Sequence, residues 1–441
     1  MKHIHFIGIG GIGMSGLAEI SLNLSFSVSG SDLAESKITN RLKSLGAKVY
    51  KGHSPENIGK SDTIVVSSAI LKDNPEMLEA KNRGLNILKR AEFLGLLMEK
   101  KYSIAISGAH GKTTTTGLIS AILDKAGLSP TVINGGIAKA FGSNAKLGVS
   151  KYFVCEADES DGSFLHLSPK IAVVTNIDRE HMEHFKNIER MKREYLEFIE
   201  KADFCVLCED DRLIREIMPE IRKEYSTYGI RQGMVRAKNI KVLSNHTEFN
   251  LIDGNEDIGK WSVRLLGRHN VLNSLSAFCV GKYLSIPIET IKRALETFSG
   301  VERRLDIKRD DEIMVLEDYG HHPTEIRETL KAVKLGWKRR LVVIFQPHRY
   351  TRTKDLLNRF TGCFKLADIL ILTDIYPASE KPIPNITGKL LYSKINHPDS
   401  YYVPDWTKIP KLLKTKVKKG DLILVLGAGN INSIVDSLCR L

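Results

Sequence analysis

The stretch Ser103-Ile-Ala-Ile-Ser-Gly-Ala-His-Gly-Lys-Thr-Thr-Thr-Thr116 joins an apolar strand to a helix through a short glycine turn. Gly108 and Gly111 let the backbone bend so that successive N–H groups face inward. The helix that follows turns its positive dipole end to the same point, and together they make an anion cradle. Lys112 adds a mobile charge, and the Thr113 hydroxyl suits the Mg²⁺ that travels with a nucleoside triphosphate. Gly108, Ala109, His110, Gly111, Lys112, Thr113 and Thr114 are therefore the expected nucleotide loop. The strict phosphate-loop pattern has a further glycine five residues before Gly111, where this chain has Ile106, so the loop is a shortened Gly-x-x-Gly-Lys-Thr form. A strand before and a helix after are the context the motif demands, and they make the chain an α/β protein.

Downstream, apolar runs predict strands at 152–156, 171–175 and 204–208. Glu156 ends the first and leads into Ala157-Asp-Glu-Ser-Asp161. A carboxylate at the carboxyl end of a strand in the same sheet can reach a metal held by Thr113. The second strand ends in Thr175-Asn176-Ile-Asp178 and is followed by His181 and His184. His181 lies beyond a strand end facing the same crevice, whereas His184 reads as a surface histidine. Residues 225–266 alternate like short antiparallel strands, with turns at Asp253-Gly254 and Asp257 to Gly259, and helices are expected at 270–284 and 288–298. These elements form a central domain over 99–300.

Residues 1–98 read as a smaller doubly wound, Rossmann-like domain with strands near 3–7, 26–29, 47–50 and 63–67. Gly8-Ile-Gly10-Gly11-Ile-Gly13 follows the first strand and opens a helix, and Asp32 ends the second strand. Gly10, Gly11 and Gly13 suit a diphosphate, and Asp32 is placed for the hydroxyls of an attached nucleoside or sugar. A UDP-linked sugar satisfies that pattern as well as NAD does. After Ser299-Gly300 the alternation resumes, with strands at 313–317, 341–345, 368–372 and 421–426, giving a second Rossmann-like domain over 301–441. Its runs Asp318-Tyr-Gly-His321-His322-Pro-Thr-Glu325 and Gln346-Pro-His348-Arg349-Tyr-Thr-Arg352-Thr353 both follow strands. His321, His348, Arg349 and Arg352 suit a small carboxylate gripped by a guanidinium fork. The proline-rich stretch from Tyr376 to Pro384 reads as a loop.

The chain has 441 residues, too many for one core, and its 42% apolar and 27% charged residues describe a folded protein. No apolar run approaches the roughly 20 residues that span a bilayer, and the expected location is the cytoplasm. Six cysteines, mostly inside apolar strings such as Phe204-Cys-Val-Leu-Cys208, read as reduced core residues. The net charge of +13 fits anionic small substrates better than nucleic acid, since no basic run is interleaved with aromatics. Lysines 408, 411, 414, 416, 418 and 419 read as the solvated face of one late helix.

In order along the chain, several runs resemble the signatures of the ATP-dependent Mur ligases of peptidoglycan assembly. They are Gly8 to Gly13, Ser107 to Thr116, Asn134-Gly-Gly136, Glu156 to Asp161, Thr175-Asn176 with His181, Gly267-Arg-His-Asn270 with Asn273, Arg303-Arg304, Asp318 to Glu325 and Gln346 to Thr353. Leu305 stands where that family usually has Phe, and the shortened phosphate loop is the family's own form. The resemblance implies a three-domain ligase with ATP and Mg²⁺ in the central domain, Thr113 and Glu156 on one metal and His181 on a second. It implies Asn270, Asn273 and Arg304 around the adenine and ribose phosphates, and catalytic roles for Lys112, Glu156 and His181. Tyr319-Gly320 and Glu325 look most similar to the branch that adds L-alanine to UDP-N-acetylmuramate, a sister branch that attaches a recycled peptide being the alternative. The implied partners are small molecules, with no nucleic acid or membrane and a monomer or weak homodimer as the expected state. An NAD-dependent oxidoreductase and a basic nucleic-acid ATPase are competitors from other classes, and the oxidoreductase has no account of Lys112, Thr113 and Glu156.

Overall fold

A computed structural model describes residues 2–67, 69–378 and 380–441. The chain divides into two compact units, one of Met1–Lys238, Leu251–Gly259 and Leu272–Ser299, the other of Asn239–Asn250, Lys260–Val271 and Gly300–Leu441.

The first unit begins with a five-stranded parallel sheet in the order Lys48–Lys51, Ser27–Asp32, His3–Ile7, Thr63–Val66, Asn86–Lys89. The chain starts in the middle strand and winds outward to both sides. The loop after His3–Ile7 therefore opens where the strand order reverses, the place where such sheets bind ligands. The central strand is solvent-free at Ile4, Phe6 and Ile7, and Phe6 meets Phe93 edge to face at 5.8 Å. The edge strand Asn86–Lys89 was not expected, because its four residues are exposed at both ends and carry no apolar run.

A ten-stranded sheet holds the phosphate-loop strand Tyr102–Ser107 between Ile171–Val174 and Tyr152–Glu156, parallel to both. Three strand ends that carry polar motifs are thus immediate neighbours. Phe204–Cys208 and Glu224–Gly229 continue the sheet in parallel on one side. On the other side lie Thr131–Ala138 and its antiparallel partner Ser143–Lys146, a hairpin the sequence reading missed. Two expectations for residues 225–266 are corrected. Glu224–Gly229 is parallel to its neighbour Phe204–Cys208, and Asp257 to Gly259 is not a turn but part of strand Glu256–Val263. The turn at Asp253-Gly254 is present, and helices Arg268–Tyr283 and Ile288–Thr297 follow.

The second unit is built on six strands in the order Asp306–Arg309, Met314–Asp318, Leu422–Leu426, Leu341–Phe345, Ile369–Leu372, Ser400–Tyr402, parallel except for the first. Both faces are covered. Leu341, Val343 and Phe345 enter one core layer, while Val342 and Ile344 enter the other. Burial on both faces is why Leu341-Val-Val-Ile-Phe345 is apolar without a break. The two edge strands, four and three residues long, were too short and polar to announce themselves. Residues 376–384 are a loop where described, with Ser379 outside the described residues. Lys408, Lys411 and Lys414 are exposed on or beside helix Ile409–Lys416, whose Ile409 and Leu413 are buried.

Candidate active site

The phosphate loop turns at Gly108, with φ +130°, and at Gly111, with φ +85°, a region that side chains rarely adopt. Space forbids a side chain as well. A Cβ on Gly108 would collide with Thr175 and the Asn176 backbone, and one on Gly111 would lie 2.6 Å from Asn273 Oδ1. The neighbouring strand end laces the loop shut. Ala109 N donates to Asn176 O (3.2 Å) and His110 N to Asn176 Oδ1 (2.9 Å), while His110 O accepts from Thr175 Oγ1 (2.7 Å). Helix Lys112–Lys125 starts directly at Gly111, and Thr113 and Thr114 lie buried in its first turn.

Lys112 folds back across this loop, its Nζ donating to Gly108 O (2.6 Å) and to Glu159 Oε1 (2.8 Å). Burial would lower the pKa of this lysine, but the charges of Glu159 and Asp158 outweigh it and hold the group well above the ordinary lysine range. Glu159 is itself buried, which pushes its carboxyl up, with Lys112 and His181 opposing in part. Asp158 pairs with Arg90 (2.8 Å). Burial alone would raise Asp158, yet the Arg90 and Lys112 charges bring it down to about 2.

Glu156 ends the strand beside the phosphate loop, in register with Ile106, and its Oε1 accepts from Gly135 N at 2.6 Å. His181 sits in a left-handed conformation, φ +55°, with Nε2 4.0 Å from both Glu159 Oε1 and Glu180 Oε1, and Nδ1 3.7 Å from Glu183. His110, expected only to line the nucleotide, pairs its Nε2 with Asp178 Oδ2 at 3.1 Å. His184 is corrected. It lies at the surface only in part, half-buried and 2.8 Å from Glu194, with its ring against Phe185.

In the first glycine loop, helix Ile12–Asn23 starts at Gly11 without a side-chain cap, which leaves its N–H groups available to an anion. Gly13 lies against Arg90, which a Cβ would meet at 3.1 Å. Asp32 was expected to face sugar hydroxyls. One of its oxygens accepts from Gly10 N (2.9 Å) and the other from Ala34 N (3.3 Å), so it also braces the loop.

In the second unit the two histidine-arginine clusters come together. The rings of His321 and His348 lie 5.7 Å apart, His348 stacks on Tyr376, and Arg352 Nη1 is 3.0 Å from His348 Nδ1. Arg349 opens helix Tyr350–Asp355 at φ +70°, its N–H bound to Tyr376 O (2.9 Å). Glu325 accepts from both His321 N (3.0 Å) and His322 N (3.1 Å), fixing the turn that presents His321. Arg304 lies over the Tyr319 ring and 3.8 Å from Glu325, and Asn270 donates to Leu266 O (2.9 Å), so each has a partner within this unit. The structure places Asn273 against the phosphate loop.

Three family descriptions match the chain in succession, "Mur ligase family, catalytic domain" over residues 3–102, "Mur ligase middle domain" over 106–281 and "Mur ligase, glutamate ligase domain" over 303–429. The chain belongs to the Mur ligase family. Among Mur ligases it is 49% identical to the UDP-N-acetylmuramate--L-alanine ligase of Trichlorobacter lovleyi, covering 100% of this chain and 99% of that one. It is 47% identical to the ligase of the same name in Syntrophotalea carbinolica, covering 100% and 98%. A solved structure of the UDP-N-acetylmuramate-alanine ligase of Thermotoga maritima superposes with a TM-score of 0.88 at 29% identity, covering 100% of this chain and 99% of that one. A murein peptide ligase of Psychrobacter arcticus, 23% identical with a TM-score of 0.76, shares the Mur ligase fold. Sequence reasoning missed Glu159, Arg90 and Asp178 in this site. Glu159 stood inside a quoted acidic run, but nothing in the run singled it out, since its partner is 47 residues away.

Proposed function

We propose that this chain joins L-alanine to the lactyl carboxylate of UDP-N-acetylmuramate at the expense of ATP, in peptidoglycan precursor synthesis. One observation carries the reading: Lys112, Glu159 and His181 converge beside the shortened phosphate loop of a chain that matches named alanine ligases over its whole length. Residues 1–98 take the UDP-sugar on Gly10, Gly11 and Gly13, with Asp32 fixing the turn. Residues 99–300 take ATP on Gly108 to Thr114, bordered by Asn273. Residues 301–441 take L-alanine, with Arg352 and Arg349 toward its carboxylate and His321 and His348 beside them.

The lactyl carboxylate attacks the γ-phosphate to give an acyl phosphate and ADP, and the alanine amine then displaces phosphate. Both steps build negative charge, and stabilising that charge is the largest service a site gives to phosphoryl transfer. Lys112 and the loop N–H groups supply it from fixed positions. The donor set fits Mg²⁺, a hard cation that prefers oxygen, because Glu156 ends the strand beside the phosphate-loop strand and Glu159 keeps one buried oxygen without a protein donor among the described residues. Thr113 and Glu156 would hold one such ion and His181 a second, and when bound they neutralise phosphate charge. The test is phosphate release from ATP with UDP-N-acetylmuramate and single amino acids. Release with L-alanine supports the reading, and release only with a peptide assigns the chain to the sister branch.

A further inference from the structure

Glu159 is only 2% exposed, and its two oxygens are treated differently. Oε1 accepts from Lys112 Nζ at 2.8 Å and lies 4.0 Å from His181 Nε2, so one atom stands between the phosphate lysine and the histidine. Oε2 is buried with no hydrogen-bond partner among the described residues. The neighbouring acids are provided for, Glu156 by Gly135 N–H and Asp158 by Arg90. A buried acceptor left without a donor bears its full desolvation cost, and native structures keep such atoms where something else supplies the donor. A plain ion pair with Lys112 accounts for Oε1 and leaves Oε2 unexplained.

We propose that Glu159 is a positioning residue of the ligase reaction: Oε1 sets Lys112 and His181 side by side, and Oε2 accepts from a water carried by the nucleotide's divalent cation. The proposal rests on the ligase reading above. Mg²⁺ and Mn²⁺ keep several of their waters in protein sites, and those waters are strong donors. Outer-shell partners of this kind orient the ligands and tune the affinity for metal. In this role the effect of Glu159 passes through the cation and the lysine.

The experiment titrates Mn²⁺, read by electron paramagnetic resonance, into the full-length chain with a non-hydrolysable ATP analogue, for wild type, Glu159→Gln and Glu159→Asp. Glu159→Gln keeps the shape and removes the charge. It should weaken Mn²⁺ binding about 10- to 100-fold and lower kcat, with the KM for UDP-N-acetylmuramate unchanged. Mn²⁺ binding as tight as in wild type overturns the proposal. Should Glu159→Gln not fold, Glu159→Asp decides: its shorter arm withdraws both oxygens, so affinity within twofold of wild type overturns it too. The ligase reading fails separately, if wild type releases no phosphate with UDP-N-acetylmuramate and L-alanine.

Discussion

Lys112, whose Nζ donates to Glu159 and to Gly108 O, gives the first test of the proposed site. Lys112→Ala is expected to lower ligation by about 10² to 10³ or more, while UDP-sugar affinity, measured by calorimetry, stays within a few-fold. Near-normal turnover in a folded variant refutes the assignment of this loop. Arg352 offers a second test, since a guanidinium grips a carboxylate through two parallel hydrogen bonds and an ammonium cannot. Arg352→Lys should raise the apparent KM for L-alanine strongly and leave that for ATP almost unchanged. The structure adds that Arg352 also touches His348, so the variant loosens a histidine as well as a fork. A collapse of ATP affinity with an unmoved alanine KM sends Arg352 to the nucleotide site or to the fold. At this scale the motif residues were legible one by one, because glycine, lysine and threonine at those spacings have few other uses. Their partners were not legible.

Among elements, helix Pro75–Asn82 shows how a short segment is anchored by charge. Glu76 in its first turn is fully buried and accepts from Ser31 Oγ (2.5 Å), Asn57 Nδ2 (2.7 Å) and His53 Nδ1 (3.1 Å), with the His5 ring 3.7 Å away. Burial would raise its pKa, but these donors override burial and hold the carboxyl at about 2 against an ordinary 4.5. The folded pKa is depressed, so the stabilisation is fully present above the unfolded value and is lost as pH falls through the folded one. Its size is about 3 kcal/mol from the pKa gap. In urea unfolding, Glu76→Gln should be less stable than wild type at pH 7, and the gap should close as pH falls from 4.5 toward 2. A gap that persists at pH 2 shows that shape, not charge, anchors the helix. Element types were legible where apolar runs were long, as in Leu341–Phe345 and Phe204–Cys208. Asn86–Lys89, Asp306–Arg309 and Ser400–Tyr402 escaped because edge strands are half-exposed and need no such run.

In the whole molecule, all six cysteines are free, and only Cys439 is not fully buried. Burial pushes the Cys205, Cys208 and Cys279 thiols up to about 12, where thiolate is scarce at neutral pH. One thiol at most should therefore react quickly with an aromatic disulfide reagent under native conditions, and six after denaturation. Several fast thiols would mean that the sheets open in solution. By itself the sequence determined the α/β class and the positions of the chemical runs, since parallel strands buried on both faces must be apolar throughout and their polar loops stand out beside them. Tertiary structure alone decided which groups meet. The phosphate-loop strand has as neighbours Tyr152–Glu156 and Ile171–Val174, neither of them next in the chain, and that order sets Glu159 against Lys112 and Asn176 against Ala109 and His110. It also turned Asp32 onto Gly10 and His184 onto Glu194. Strand order follows from how whole faces pack, so no local run of residues encodes it.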